Sequence, residues 1–566
     1  MALAAIAFLV GAIVGSGHHS SAQQRVAEQF AKAWVRGDYA TMYDDVAPDT
    51  RLRISASRFA SSYREAARTA TENSLRVAGP ARSKQGAFVV PMRVGTRLWG
   101  TLSEELRVRV DNTPDGSRVM WSHALVFPGL RAGESLSRNM TLPPRAALLA
   151  RDGSVLADGQ ASEAGVRDSP LGTAAASVVG EVGPVSSSRL SGLEAQGVPT
   201  EAIVGTSGLE LALDERLRGK PGGQLLAGER VLASALPKAS PPVHTTISPG
   251  LQKVAVEALG GQLGGVVALN PASGEILAVA GIGIDDLQPP GSTFKMVTLT
   301  AALEAKAANE KSVFPYATSA TLDGVKLENA NGESCGGSLA LAFAVSCNSV
   351  FAPLGVKVGA PRLVQTAESF GFNHASGVEG AVESTLPPAS QIQGELDVGS
   401  TAIGQGQVQA SALQMVTVAA TIADGGRRPT PTFEAHRAAR PRVMKAATAR
   451  TVRRLMIGVV REGTGTSAAI PGIVVAGKTG TAELGAPSCG GAHEHDSEGK
   501  ESSGEDEQGE ENCSSSKDPQ NTDAWFAAFA PALKPKIAVG VLLVKDGAGG
   551  ETAAPVARQV LEAGLR

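Results

Sequence analysis

Apolar side chains at Val26, Phe30 and Trp34 recur every four residues and draw one stripe down a helix, which the pattern predicts over residues 22–42. A second helix is expected over 56–70. The period then changes. Ala87 to Val94, Leu102 to Val110 and Val119 to Phe127 are rich in strand formers, and in the middle run Leu106, Val108 and Val110 alternate with Arg107 and Arg109. Helices followed by an antiparallel sheet make an α+β unit over residues 22–127, with its charged residues scattered on polar faces.

From Leu142 to Val243 the pattern weakens into short strands, Gly, Ser and Pro stretches and one helical piece from Ser207 to Arg218, as in a β-rich linker or pedestal over 142–243. Beyond it the signals sharpen. A helix is expected from Pro249 to Gly260. Val266 to Leu269 and Glu275 to Ala280, joined by Asn270-Pro271-Ala272-Ser273-Gly274, read as a hairpin. A helix-rich stretch runs from 292 to about 460, then come strands at Val474 to Ala476, Ala524 to Phe529 and Ile537 to Val544 and a helix from Ala553. Helices inserted between the first and last strands of one antiparallel sheet account for that order.

Two segments stand apart. Residues 1–17 (MALAAIAFLVGAIVGSG) carry no charge and are expected to anchor the chain in a membrane. At ~1.5 Å per residue the run reaches roughly 25 Å, short of the ~30 Å hydrocarbon core, and no basic residue precedes it. The competing reading is a buried N-terminal helix. Residues 485–520 hold ten acidic side chains and two lysines, with almost nothing apolar to bury, and are expected to form a solvated insertion loop.

The chain has 566 residues, 43% hydrophobic and 19% charged, which suits several folded domains and excludes both a polytopic membrane protein and a disordered tail. Its net charge of −3 divides into −8 in the acidic loop and +5 elsewhere, so there is no basic footprint for nucleic acid. Four cysteines, Cys335, Cys347, Cys489 and Cys513, permit three pairings and suit an extracytoplasmic setting. No cysteine lies early enough for an N-terminal lipid. His493 and His495, among solvated carboxylates, read as loop and not as a metal site.

Three short elements carry chemistry. Pro289-Pro290-Gly291 stops the preceding loop and Ser292-Thr293-Phe294-Lys295 begins a helix, so Lys295, three positions on, shares a helix face with the Ser292 hydroxyl. Burial and a second cation such as Lys478 can lower the Lys295 pKa enough for it to act as a base. Ser346-Cys347-Asn348 lies between two apolar runs, as a polar loop joining buried helices would. Lys478-Thr479-Gly480-Thr481 follows a short strand that can present an ammonium, a hydroxyl and a backbone edge. Isolated copies of the first two spacings, Ser514 with Lys517 and Ser137 with Asn139, lack this order and context.

In that order the set resembles the penicillin-binding proteins and serine β-lactamases. GGVVALNPASGEILAVA, PPGSTFK, GQGQVQASALQM at 404–415, REGTGTSA at 461–468 and DAWFAAFAP at 523–531 extend the likeness across 246–566. Residues 143–157 and 204–222 resemble the pedestal segments of class B, single-activity members, although Ala146 stands where glycine is usual. The 22–127 unit is similar to the nuclear-transport-factor-like cone domain of some Gram-positive members, and an actinobacterial source is implied. No segment resembles a glycosyltransferase.

The resemblance implies a multidomain α+β protein whose C-terminal domain has an antiparallel sheet with helices on both sides and a helical subdomain. It implies a peptidoglycan D,D-transpeptidase of cell-wall synthesis and cell shape, acylated on Ser292 by D-Ala-D-Ala stems or by β-lactams, with no cofactor or metal. Lys295 is then the base, Ser346 relays a proton beside Lys478, and Asn348 holds a substrate amide. Lys478 and Thr479 bind the terminal carboxylate, the amides of Ser292 and Thr481 form the oxyanion hole, and Gly480 permits close approach. Implied partners are stem peptides, β-lactams, the membrane through a single-pass anchor and a glycosyltransferase. The rival readings are a β-lactamase, for which no water-activating group is identified, and a non-catalytic β-lactam or muropeptide sensor or scaffold.

Overall fold

The Ser21 hydroxyl accepts the Gln24 amide and so caps the first helix, α1 (Ala22–Val35), in a computed structural model that describes residues 21–435, 439–484 and 521–566. The predicted helix over 22–42 is broken, because Gly37 adopts φ +68° and a second short helix starts at Tyr39. The described residues divide into two units, the first holding those up to 146 with 184–204 and 218–241, the second 147–183, 205–217 and 242–566.

In the first unit α1 and α2 (Ala56–Thr69) pack on antiparallel strands β1 (Glu72–Val77), β2 (Arg82–Lys84), β3 (Ala87–Thr96) and β4 (Gly100–Val108). Trp34, Phe59, Tyr63 and Trp121 form its aromatic centre, where Trp121 Nε1 donates to the Tyr63 hydroxyl at 3.0 Å. The strand predicted from Val119 to Phe127 is not formed. Pairing ends at Val119, and a 3₁₀ turn at His123–Leu125 lets the consecutive residues Leu125, Val126 and Phe127 all be buried, which an alternating strand cannot do.

The second unit is built on a five-stranded antiparallel sheet. Its strands are β5 (Gly264–Leu269), β6 (Ile276–Gly281), β7 (Ala476–Glu483), β8 (Thr522–Ala530) and β9 (Ile537–Leu543), in the spatial order β6-β5-β9-β8-β7. Every residue of β5, β8 and β9 is buried, because both faces of the sheet are covered. On one face Leu251 and Ala255 of α3 (Pro249–Leu259) and Val556 and Val560 of α9 (Ala553–Leu565) pack on Val266, Phe526, Val539 and Val541. Each such Val, Leu or Phe side chain contributes about 1.5–3 kcal/mol by leaving water. On the other face lies α7 (Ala412–Ala423), buried along its whole length and seated so closely that a Cβ at Gly540 would stand 2.6 Å from Ala412 O.

Between the second and third strands in sequence the chain inserts α4 (Lys295–Glu304), α5 (Leu339–Ala344), α6 (Asn348–Val358), α7 and α8 (Ala446–Glu462). The hairpin forms as predicted. The strand expected at 474–476 instead begins at Ala476 and runs through Glu483, since Lys478, Gly480 and Ala482 pair in register with Ala527, Trp525 and Asp523 while Val474 stays exposed. This makes β7, with the Lys-Thr-Gly sequence in its middle, one edge of the sheet.

Candidate active site

Gly291 is the residue on which the serine turn depends. Its φ is +50°, its amide donates to Gly404 O at 2.9 Å, and a Cβ there would stand 2.7 Å from Thr481 O. A Cβ at Gly480 would meet Pro290 O at 2.8 Å, so glycine on both sides lets the turn lie directly against β7. Ser292 sits in a 3₁₀ turn, Gly291–Phe294, that runs straight into α4, and it is only partly buried. Phe294 is held from behind by Phe372, edge to face at 5.5 Å.

Lys295 and Lys478 are both completely buried. Lys295 Nζ donates to Ser346 O at 2.6 Å and to Asn348 Oδ1 at 2.6 Å, and lies 3.4 Å from Ser346 Oγ. Lys478 Nζ donates to the same Ser346 hydroxyl at 2.8 Å and to Thr479 O at 3.0 Å. Two amines from different elements therefore converge on one serine oxygen. Burial, with the Lys478 charge adding to it, holds the Lys295 pKa well below the usual lysine range, and burial brings Lys478 down to about 7. In the structure the Lys295 amine is engaged by Ser346 and Asn348, and no hydrogen bond joins it to the Ser292 hydroxyl.

Ser346 turns between α5 and α6 in the left-handed region, φ +62°, at a cost of about 1–2 kcal/mol for a residue with a Cβ. That conformation directs its carbonyl and its hydroxyl to the two lysines. The turn is fastened next door by a disulfide between Cys335 and Cys347, one of the pairings left open by the sequence. Cys489 and Cys513, His493 and His495, and the acidic loop lie outside the described residues, as does the 1–17 segment. Among the described residues no helix is long and apolar enough to cross a membrane, and no group of three or more ligating side chains could hold a metal.

The eight residues expected from the sequence come from the serine turn, α4, the α5–α6 turn, the start of α6 and β7. Asn348 opens α6, and its Nδ2 donates to Glu328 O at 2.7 Å, which leaves one N–H of that amide unused. Thr479 Oγ1 lies 2.5 Å from Thr464 Oγ1, and Thr481 Oγ1 accepts the Gly549 amide at 3.4 Å. Three contributors were missed as site residues. Thr464 lies in the REGTGTSA stretch and braces Thr479. Phe351 stands 5.7 Å from Lys295 Nζ and Phe343 5.6 Å from Lys478 Nζ, ring face to cation. Their place in the two apolar runs marked them as parts of buried helices, and nothing in sequence distinguishes a ring beside an ammonium from one beside a leucine.

An antiparallel sheet with helices on both faces, a serine at the foot of a buried helix, and two desolvated lysines sharing a second serine define a serine acyl-transfer site of the penicillin-recognising class. The chain belongs to the penicillin-binding protein transpeptidase family, whose Penicillin binding protein transpeptidase domain matches residues 264–562. The Penicillin-binding Protein dimerisation domain matches 160–229 and the NTF2-like N-terminal transpeptidase domain 22–134. The chain is 32% identical over 397 residues to Peptidoglycan D,D-transpeptidase PbpA of Mycobacterium tuberculosis, covering 57% of this chain and 72% of that one. PbpA of Mycolicibacterium smegmatis is also 32% identical, over 64% of this chain and 80% of the relative. The crystal structure of PBPA from M. tuberculosis superposes with a TM-score of 0.54 at 27% identity, covering 75% of this chain and 99% of that one. Its penicillin G acyl-enzyme complex gives a TM-score of 0.54 at 28% identity, over 75% and 100%.

Proposed function

We propose that this protein is a peptidoglycan D,D-transpeptidase in which Ser292 is the nucleophile and Lys295 its base. The observation that carries the mechanism is the complete burial of Lys295 beside Lys478, which favours its neutral amine. A neutral amine has two N–H bonds and one lone pair; Ser346 O and Asn348 Oδ1, both at 2.6 Å, take the two N–H bonds, Ser346 Oγ stands farther off at 3.4 Å, and the lone pair is what remains to receive the hydroxyl proton of Ser292. Ser292 Oγ attacks the carbonyl carbon of the penultimate D-alanine, and its proton passes to Lys295. The oxyanion is met by the backbone amides of Ser292 and Thr481, which the two glycines bring together. As the tetrahedral intermediate collapses, the C–N bond breaks. The departing D-alanine amine takes a proton from the Ser346 hydroxyl, which is replenished from Lys295 or Lys478. An acceptor amine then attacks the ester, returns its proton by the same route and frees Ser292. Lys478 and Thr479 hold the donor carboxylate, and the unused N–H of Asn348 holds a backbone carbonyl of the stem.

We assign residues 1–17 as the anchor, 22–127 as the cone domain, 142–243 as the pedestal and 246–566, with its 485–520 insertion, as the transpeptidase domain. The catalytic domain then faces the wall outside the membrane, where a glycosyltransferase supplies strands to cross-link. Intact-mass measurement with penicillin over hours tests the reading. A persistent single adduct that maps to the Ser292 peptide, with D-alanine released from stem peptides, is expected. Rapid loss of the adduct indicates a β-lactamase; an adduct without D-alanine release indicates a sensor or scaffold.

A further inference from the structure

A cavity of about 130 Å³ lies in the second unit, and none of Ser292, Lys295, Ser346, Asn348 or Lys478 lines it. Its walls are the loop after Phe370, the first turns of α7 and the extended segment from Arg428 to Pro431. The volume holds several waters or one small organic ion.

Its chemistry is one-sided. The half-buried Arg428 guanidinium makes no hydrogen bond or ion pair with any described residue, and burial alone, with no charged neighbour contributing, lowers its pKa from the usual arginine value. No aspartate or glutamate lines the cavity, and His374 stands at its rim. Gly371, at φ +113°, brings the backbone so close that a Cβ there would lie 2.7 Å from Arg428 Nη1 and 3.3 Å from Gln414 Oε1. The guanidinium and the Gln414 amide therefore meet at that glycine, and Gln414 is fixed by its Nε2 bond to Phe370 O at 3.0 Å. Ser384 Oγ accepts the Ser411 amide and Ser411 Oγ accepts the Gln414 amide, which leaves both hydroxyl protons to donate. Buried donors without acceptors are costly, and a desolvated cation without a counter-ion more so. An anion relieves both at once.

We infer that this cavity is a binding site for a small carboxylate of amino-acid size, held by Arg428 with Ser384 and Ser411. A planar carboxylate accepts two N–H bonds from one guanidinium fork, and a single positive charge suits a monoanion. The carboxylate comes from a free amino acid or from the C-terminus of a short peptide. The inference does not depend on the catalytic reading.

The full chain is first acylated with penicillin to fill the catalytic cleft, then titrated by calorimetry with acetate, D-alanine, D-alanyl-D-alanine and inorganic phosphate at constant ionic strength. If penicillin forms no adduct, the catalytic reading fails and the titration proceeds on unmodified protein. Saturable carboxylate binding is expected, weakened about 10- to 100-fold in Arg428→Leu and less in Arg428→Lys, as loss of a charge-assisted hydrogen-bond pair implies. Binding of acetate or D-alanine identifies a free acid, and binding of the dipeptide alone a peptide terminus. A second measurement needs no variant: saturating carboxylate should protect Arg428 of the wild-type protein from phenylglyoxal, read by peptide mass mapping. No saturable binding, equal affinity in a folded Arg428→Leu protein, preference for phosphate, or no protection of Arg428 overturns the proposal.

Discussion

Replacing Lys478 by methionine keeps the length of a buried side chain and removes its charge, so it isolates what that charge does to Lys295. The two nitrogens approach the same Ser346 oxygen at 3.4 and 2.8 Å. They therefore stand no more than about 6 Å apart, where two unit charges at an effective dielectric constant near 20 repel by ~3 kcal/mol, equivalent to about 2 pH units. Lys478 titrates near pH 7, so its charge is present below that pH and fades above it, and the two lysines lose their protons as a coupled pair. In Lys478→Met the acid limb of the acylation rate should move upward by roughly 1–2 pH units, because Lys295 becomes easier to protonate. The second-order acylation rate constant with a chromogenic cephalosporin, measured by stopped flow from pH 5 to 10, gives the limb directly. The lost carboxylate contact slows the variant at every pH, so the shape of the profile and not its height is the readout. Stability carries the same sign. Between pH 7 and 10.5 the unfolded chain holds the Lys478 proton that the folded one releases, so wild-type stability climbs with pH there. The variant should climb less. An acid limb that stays in place, or moves down, would refute the charge coupling between the two lysines.

Lys295→Arg should slow acylation by about 10² to 10⁴, since a guanidinium stays protonated, with the circular dichroism spectrum unchanged; a near-parental rate would make Lys295 an electrostatic partner and not a base. Removing the disulfide by Cys335→Ala with Cys347→Ala should lower unfolding stability by about 2–3 kcal/mol in urea, the loop-closure contribution of a bridge spanning 12 residues, and should slow acylation as the Ser346 turn loosens. An unchanged midpoint and rate would show that the turn holds itself. Shortening residues 485–520 to a brief turn should leave the acylation rate within about twofold, because a segment so poor in apolar residues supplies no core.

The order of motifs identified the chemistry through its resemblance to a known family, and each group in it has a local requirement that sequence displays. Pro289-Pro290-Gly291 stops a loop, a base follows the nucleophile three residues on, and an apolar hairpin closes on a five-residue turn. The fold class follows from the same logic, since strands before and after a long helical insertion have one sheet available to them. What sequence did not determine is everything that depends on two distant elements meeting. Whether Lys295 bonds Ser292 or the Ser346 loop, which of the three cysteine pairings forms, and that Phe343 and Phe351 face ammonium groups are set by the packing of α4, α5, α6 and β7. The extent of β7 was misplaced for the same reason: its length is decided by the register against β8, 49 positions apart at Lys478 and Ala527, and not by the β-propensity of Val474 and Val475. Local preference amounts to a few tenths of a kcal/mol per residue, while desolvating one lysine beside another costs several, so tertiary contacts alone decide where the protons reside.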